Sequence, residues 1–251
     1  MIKVTIIGSG NVAEAMAVAL AECGAGDVQL VEVASRNVQR LNDISAVAHC
    51  TTTSIDALSP ADIYILAVSD DAIEALATTL VRPAGSITLH TAGSVPMGAL
   101  DGVIYPMQTF TAGRRVDFRA VPLFVEGESE SIRVVANALS DSVVEMSSER
   151  RRALHLAAVF ACNFTNAMLT ATNEILSESE IPYALYRPLV EECVAKAFDP
   201  STTPQAAQTG AARRGDLTIQ RRHIEQLQGR EDLIEIYKTI SKYIWETSRK
   251  I

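Results

Sequence analysis

The chain has 251 residues, 48% hydrophobic and 21% charged, enough for one large domain or for a nucleotide-binding domain with a smaller partner. Its formal net charge of -8 argues against nucleic acid as a partner. No apolar run approaches the length of a membrane span and the first strand begins almost at Met1, so a cytoplasmic protein without a membrane partner is expected.

Residues 2–7, 28–34, 62–68 and 86–90 are short runs rich in Ile, Val and Leu. Helical patterns at 11–22, 36–45 and 70–80 lie between them. This alternation predicts βαβ units and a parallel sheet buried on both faces. Further strands at 102–106, 121–125 and 143–146, with a helix near 129–139, extend the sheet. From Ser147 onward helices dominate, over about 148–178, 183–198, 216–228 and 230–248. The expected fold class is α/β: a Rossmann-type, doubly wound, mostly parallel sheet domain at 1–146 and an all-helical domain at 147–251. The first would bind NADP; the second would serve substrate binding and dimerisation.

Gly8-Ser9-Gly10-Asn11-Val12-Ala13 follows the first strand and opens a helix. Gly8 permits the tight turn, Gly10 a close approach of backbone to a pyrophosphate, and Ala13 stays small against the sheet. The N–H groups of the helix start then face the phosphates. An NAD site would carry an acid at the end of the second strand. Here Ser35 and Arg36 stand there, a hydroxyl and a planar cation suited to a 2′-phosphate, so NADP is preferred over NAD. Glu32 is the rival if that strand ends earlier.

Other strand ends point into the same crevice: Val68 and Ser69, then His90 and Thr91, then Tyr105 and Gln108. Val68, Ser69 and His90 are expected on the cofactor side, with capping the rival for Ser69 and a structural hydrogen bond the rival for His90. Thr91, Tyr105 and Gln108 are expected near the substrate. On the helix from 150, His155, Val159, Cys162 and Asn166 share a stripe, with Asn163 beside it. His155 can exchange a proton while Asn163 and Asn166 orient a carbonyl or imine, or all three can be structural. Arg214, between Gly210 and Gly215, can clamp an anionic substrate group, or lie in a flexible loop that ends at Asp216, an N-cap candidate. The clusters Arg150–Arg152, Arg213–Arg214 and Arg221–Arg222 otherwise read as solvated helix faces. Cys23, Cys50, Cys162 and Cys193 read as buried free thiols of a reducing compartment, and neither they nor the four histidines show metal-ligand spacing.

GSGNVA, the SRN after strand two, HTAGS, YPMQTF, the His155-x7-NFTN pattern and TGAARRGD together resemble an uncharacterised Rossmann-like family. Its members are described as NADP oxidoreductases with a helical C-terminal domain of unknown function. The resemblance spans essentially the whole chain and is carried by the YPMQTF, NFTN and TGxxxRGD segments. More distantly the chain is similar to pyrroline-5-carboxylate reductase, deazaflavin-dependent NADP oxidoreductases and β-hydroxyacid dehydrogenases. It departs from the last, which use a Lys followed by an Asn where this helix offers His155. It also lacks the glycine- and threonine-rich segment of the pyrroline reductase. The resemblance implies the fold, NADP use and a homodimer through the helical domain. The expected activity is hydride transfer to or from a small carbonyl, alcohol or imine. The rivals are a non-catalytic NADP-binding regulatory dimer and a deazaflavin-dependent reductase.

Overall fold

The computed structural model describes residues 1–23, 26–177 and 179–249. Two compact units follow one another along the chain, Met1–Phe164 and Thr165–Ile251.

In the first unit, β1 (Ile2–Ile7), β2 (Val28–Ala34), β3 (Thr52–Thr53), β4 (Ile63–Leu66), β5 (Ile87–His90), β6 (Gly102–Pro106), β7 (Leu123–Glu126) and β8 (Val143–Glu145) form one sheet. Its order is β3-β2-β1-β4-β5-β6-β7-β8. Every pairing is parallel except β6 with β7. The order reverses between β1 and β4, which opens a crevice at their carboxyl ends. The helices are α1 (Asn11–Glu22), α2 (Val38–Ala48), α3 (Asp70–Thr79), α4 (Glu130–Leu139) and α5 (Ser148–Ala158).

The apolar runs have the character expected of strands covered on both sides. Val4 and Ile6 of β1 join Met16, Leu20 and Ile44 in one core, while Ile7 joins Tyr64, Leu66 and Ile73 in another. A third cluster holds Val103, Tyr105 and Phe124, with Met97 and Leu154 packed against it.

The change in composition at residue 147 does not coincide with the end of the first unit. Helix α5 stays with the sheet because its Arg151, with no exposed surface, donates to Glu126 at the end of β7 and, at 2.6 Å, to the Val95 carbonyl. Of this guanidinium, Nε alone lacks a partner among the described residues. Arg151 therefore departs from the expected solvated face: it is an internal strut. The cysteines also differ from expectation, since Cys23, Cys50 and Cys162 are half-buried and Cys193 is exposed.

The second unit comprises α6 (Thr165–Ser177), α7 (Arg187–Ala197), two four-residue helices α8 (Pro204–Ala207) and α9 (Ala211–Arg214), α10 (Leu217–Gln226) and α11 (Glu231–Ser248). Asp216 caps α10 by accepting from Ile219 N–H at 3.1 Å. Gly215, at φ +68°, lies beneath the Trp245 ring, where a Cβ would come within 2.9 Å of the indole.

One helical stretch, Ser148–Ser177, is long and apolar enough by length and composition to cross a membrane. The sequence expectation had no such run; it appears because α5, a π-helical segment (Val159–Phe164) and α6 follow without a break.

Candidate functional site

The cleft begins directly after β1, at the Gly8–Val12 turn. Gly8 has φ +136°, and a Cβ there would lie 2.0 Å from the Ala67 carbonyl oxygen, so only glycine lets β1 and β4 approach this closely. A Cβ at Gly10 would meet open space. Gly10 is also the N-cap of α1 and offers no side chain, which leaves the first N–H groups of the helix unspent. Ala13 is fully buried against the sheet. Asn11 donates to the Phe110 carbonyl at 2.9 Å and ties the turn to the segment after β6.

At the end of β2, Ser35 meets Ser9 with 2.8 Å between their hydroxyl oxygens. Arg36 is exposed beside them and makes no hydrogen bond or ion pair among the described residues. The rival Glu32 is 2% exposed and already engaged, accepting from the Ser59 N–H at 2.6 Å and its hydroxyl at 3.0 Å. One functional neighbour went unread in the sequence. Arg40 donates to the Ser9 carbonyl at 3.2 Å and to buried Glu14 at 2.7 Å, and Glu14 in turn accepts from Gly113 N–H at 2.7 Å. The only sequence signal is an acid on the apolar face of α1.

Val68 and Ser69 line the same cleft. Ser69 sits at the N-cap of α3, but its hydroxyl makes no capping hydrogen bond and no other among the described residues. Asp70 instead accepts from Ser94.

His90 is the clear correction. It has no exposed surface and does not line the cleft. Its Nδ1 accepts from Ala92 N–H at 3.1 Å and its Nε2 donates to the Pro96 carbonyl at 3.2 Å. Burial, and then the Arg151 charge, lower its pKa to about 4, so the ring is a neutral brace for the 91–96 loop. Thr91, the next residue, does line the cleft.

Tyr105 ends β6 in the cleft with its hydroxyl 3.1 Å from Nδ1 of His155 on α5. The rings meet edge to face at 5.8 Å between centroids. Gly93 fits against both: a Cβ there would lie 2.6 Å from His155 Nδ1 and 2.8 Å from Tyr105 Cζ. Burial raises the Tyr105 pKa and keeps the hydroxyl protonated. Gln108 lines the cleft too, its side-chain carbonyl accepting from the Thr109 N–H at 2.8 Å and its amide nitrogen without a partner among the described residues.

The π-helical segment follows α5. Its additional residue per turn rotates what comes after by about 100°, bringing Asn163 onto the His155 stripe, where it lines the cleft with Cys162. Asn166 and Arg214 belong to the second unit. Both are exposed; Arg214 has no hydrogen bond or ion pair among the described residues, whereas its neighbour Arg213 is spent on the carbonyls of Ala206 and Gln208.

The whole cleft measures about 1430 Å³ and runs from the Gly8–Val12 turn past Ser35 and Arg36 to Tyr105, His155 and Asn163. That exceeds the ~300–1,000 Å³ of pockets for small ligands and has room for a dinucleotide with a small molecule beside it.

Comparison with known proteins gives a consistent picture. Residues 3–91 match the family described as NADP oxidoreductase, coenzyme F420-dependent, and residues 121–244 match a domain of unknown function, DUF2520. A "putative NADP oxidoreductase" from Bacteroides fragilis is 33% identical over 98% of both chains, with a TM-score of 0.89. A reductive aminase from Aspergillus terreus, solved with NADPH and ethyl-5-oxohexanoate, is 16% identical over 100% of this chain and 94% of its own, with a TM-score of 0.68. A 1-pyrroline-5-carboxylate reductase from Streptococcus pyogenes is 15% identical over 100% and 99%, with a TM-score of 0.62. The last two share the fold. No curated protein matches the sequence.

Proposed function

Because the chain belongs to the family of NADP oxidoreductases that includes the Bacteroides fragilis protein, we propose that it transfers a hydride between NADP(H) and a small carbonyl, alcohol or imine. The observation that carries this reading is the continuity of one cleft from the glycine turn to the Tyr105–His155 pair.

The residues present fit NADP. Gly8, Ser9, Gly10, Asn11 and Val12 would hold the pyrophosphate, Ser35 and Arg36 the 2′-phosphate, and Val68 and Ser69 the wall beside them. The bound cofactor supplies the hydride. The chain supplies orientation and the proton. In this reading His155 gains or loses the proton, and Asn163, Thr91 and Gln108 orient the reacting group. Asn166 and Arg214 belong to the helical unit, and we keep them in the proposal as an exposed amide and an exposed cation able to meet a polar or anionic substrate group.

A homodimer formed through the helical unit belongs to the same proposal. It is supported by the exposed Leu185, Leu189, Val194 and Phe198 of that unit. We also place the protein in the cytosol, in keeping with four free cysteines. A deazaflavin as hydride partner is a second reading, favoured by the family description matched at 3–91.

The test is a steady-state assay of NADPH oxidation against small ketones, 2-oxo acids and cyclic imines, with a reduced-deazaflavin arm. Turnover that His155→Ala lowers by about 10²-fold supports the assignment. Turnover unchanged in His155→Ala removes His155 from it.

A further inference from the structure

Tyr105 and His155 share a single hydrogen bond of 3.1 Å, and neither side chain has another partner among the described residues. Both line the cleft. A neutral histidine carries one N–H and one lone pair, and a neutral tyrosine hydroxyl can donate once and also accept. Their shared bond can therefore be made in two ways. If the hydroxyl donates to Nδ1, an Nε2–H donor and a tyrosine lone pair remain. If Nδ1–H donates to the hydroxyl oxygen, an Nε2 lone pair and the tyrosine O–H remain. In each arrangement the pair offers one donor and one acceptor, on different atoms. Passing protons along the shared bond exchanges the two roles without leaving a charge behind.

The surroundings orient this exchange. Tyr105 is 9% exposed and sits at the inner end, while His155 is more open to solvent on α5. A Cβ at Gly93 would lie 2.6 Å from His155 Nδ1 and 2.8 Å from Tyr105 Cζ, so the absence of a side chain there is what lets the Nδ1 edge and the tyrosine ring meet. Arg151, one turn before His155, fixes α5 to Glu126 and to the 91–97 loop that carries Gly93.

We propose that Tyr105 and His155 form one proton relay, with the Tyr105 hydroxyl touching the reacting oxygen or nitrogen and His155 Nε2 exchanging with solvent. This rests on the oxidoreductase reading and adds the identity of the last proton carrier. In the reducing direction the substrate carbon receives the hydride, and the C=O or C=N π pair becomes the new O–H or N–H bond. Its proton comes from the Tyr105 hydroxyl. The Nδ1–H proton moves to the Tyr105 oxygen, and Nε2 takes up one proton from hydronium or a buffer acid in the solvent, the single proton that the reduction consumes. The pair ends neutral, in its other tautomer. In the oxidising direction the same movements run backwards.

Two measurements on the full chain with NADP+ test the relay. Long-range ¹H–¹⁵N spectra of the imidazoles, with His155→Asn identifying the signals, should show both His155 tautomers populated. Tyr105→Phe should leave one, the Nε2–H form. Gly93→Ala keeps both side chains but forces them apart, and should do the same while NADP+ affinity stays within about threefold of wild type. Identical His155 nitrogen shifts in wild type and Tyr105→Phe would overturn the proposal, whether or not any compound is turned over. With 1-pyrroline or cyclohexanone as the probe, rates across H₂O–D₂O mixtures should bow in wild type, because more than one proton moves together. They should become linear, with kcat about 10²-fold lower, in Tyr105→Phe. A linear wild-type plot would contradict the relay and leave a single donor. Failure to turn over either probe counts against the oxidoreductase reading, while the spectra still decide the pair.

Discussion

Glu32 gives its carboxylate to Ser59, accepting from the backbone N–H at 2.6 Å and the hydroxyl at 3.0 Å. An acid near the end of the second strand would ordinarily be read as the group that holds a ribose. Here it fastens the 54–59 turn instead. Glu32→Ala should therefore lower stability by about 1–3 kcal/mol, because the Ser59 N–H loses its acceptor. The ratio of NADPH to NADH affinity should not change. Chemical denaturation and cofactor titration of the same variant check both halves.

His90 makes stability depend on pH. Its folded pKa of about 4 lies below its ordinary 6.5, so the unfolded chain takes up the proton first as pH falls. The stabilisation is complete above about 6.5 and is lost progressively down to about 4, up to the order of 3 kcal/mol. Denaturation midpoints measured across that window should fall for the wild type. The slope should be shallower in His90→Gln, which starts less stable.

Arg151 is buried without exposed surface against Glu126. Burial pushes the Glu126 carboxyl up, but the bonds from Arg151 and Ser148 outweigh it and hold the pKa below the usual value. Arg151→Ala leaves that acid unpaired and opens a void, so a loss of about 3–5 kcal/mol is expected by thermal or chemical unfolding. Glu126→Gln, which keeps an acceptor for Ser148, should cost less.

Gly8→Ala meets both a positive φ and the Ala67 carbonyl, so it cannot be absorbed by a rotamer change. NADPH binding should fall by at least about 10²-fold in calorimetry, with the helical content by circular dichroism retained. Gly10→Ala, facing open space, tests a different cause: its loss of affinity would come from the phosphate approach alone.

The sheet was legible because strands covered on both faces need continuous apolar runs, and β1, β2, β4 and β5 have them. Strand β3, Thr52–Thr53, was not, since two threonines at an edge carry no pattern. Helices α8 and α9 are single turns in a segment that reads as loop. The glycine turn and the position of Ser35 and Arg36 directly after β2 could be read because each is local. His90 and His155 could not be told apart in that way. One braces a loop six residues long, the other meets a tyrosine fifty positions away, and only the folded chain sorts them. The π-helical segment that turns Asn163 into the cleft leaves no trace in a helical repeat. The Glu14–Arg40 pair joins α1 to α2 across 26 residues, and no spacing rule announces it.

Arg36, which makes no hydrogen bond or ion pair among the described residues, is the group we propose to hold the 2′-phosphate of NADP. Titrating NADPH and NADH into the wild type and Arg36→Ala tests it most directly. NADPH should bind at least about tenfold more tightly than NADH to the wild type, and Arg36→Ala should erase most of that difference. Equal affinities in the wild type, or a preference that survives in Arg36→Ala, would contradict it.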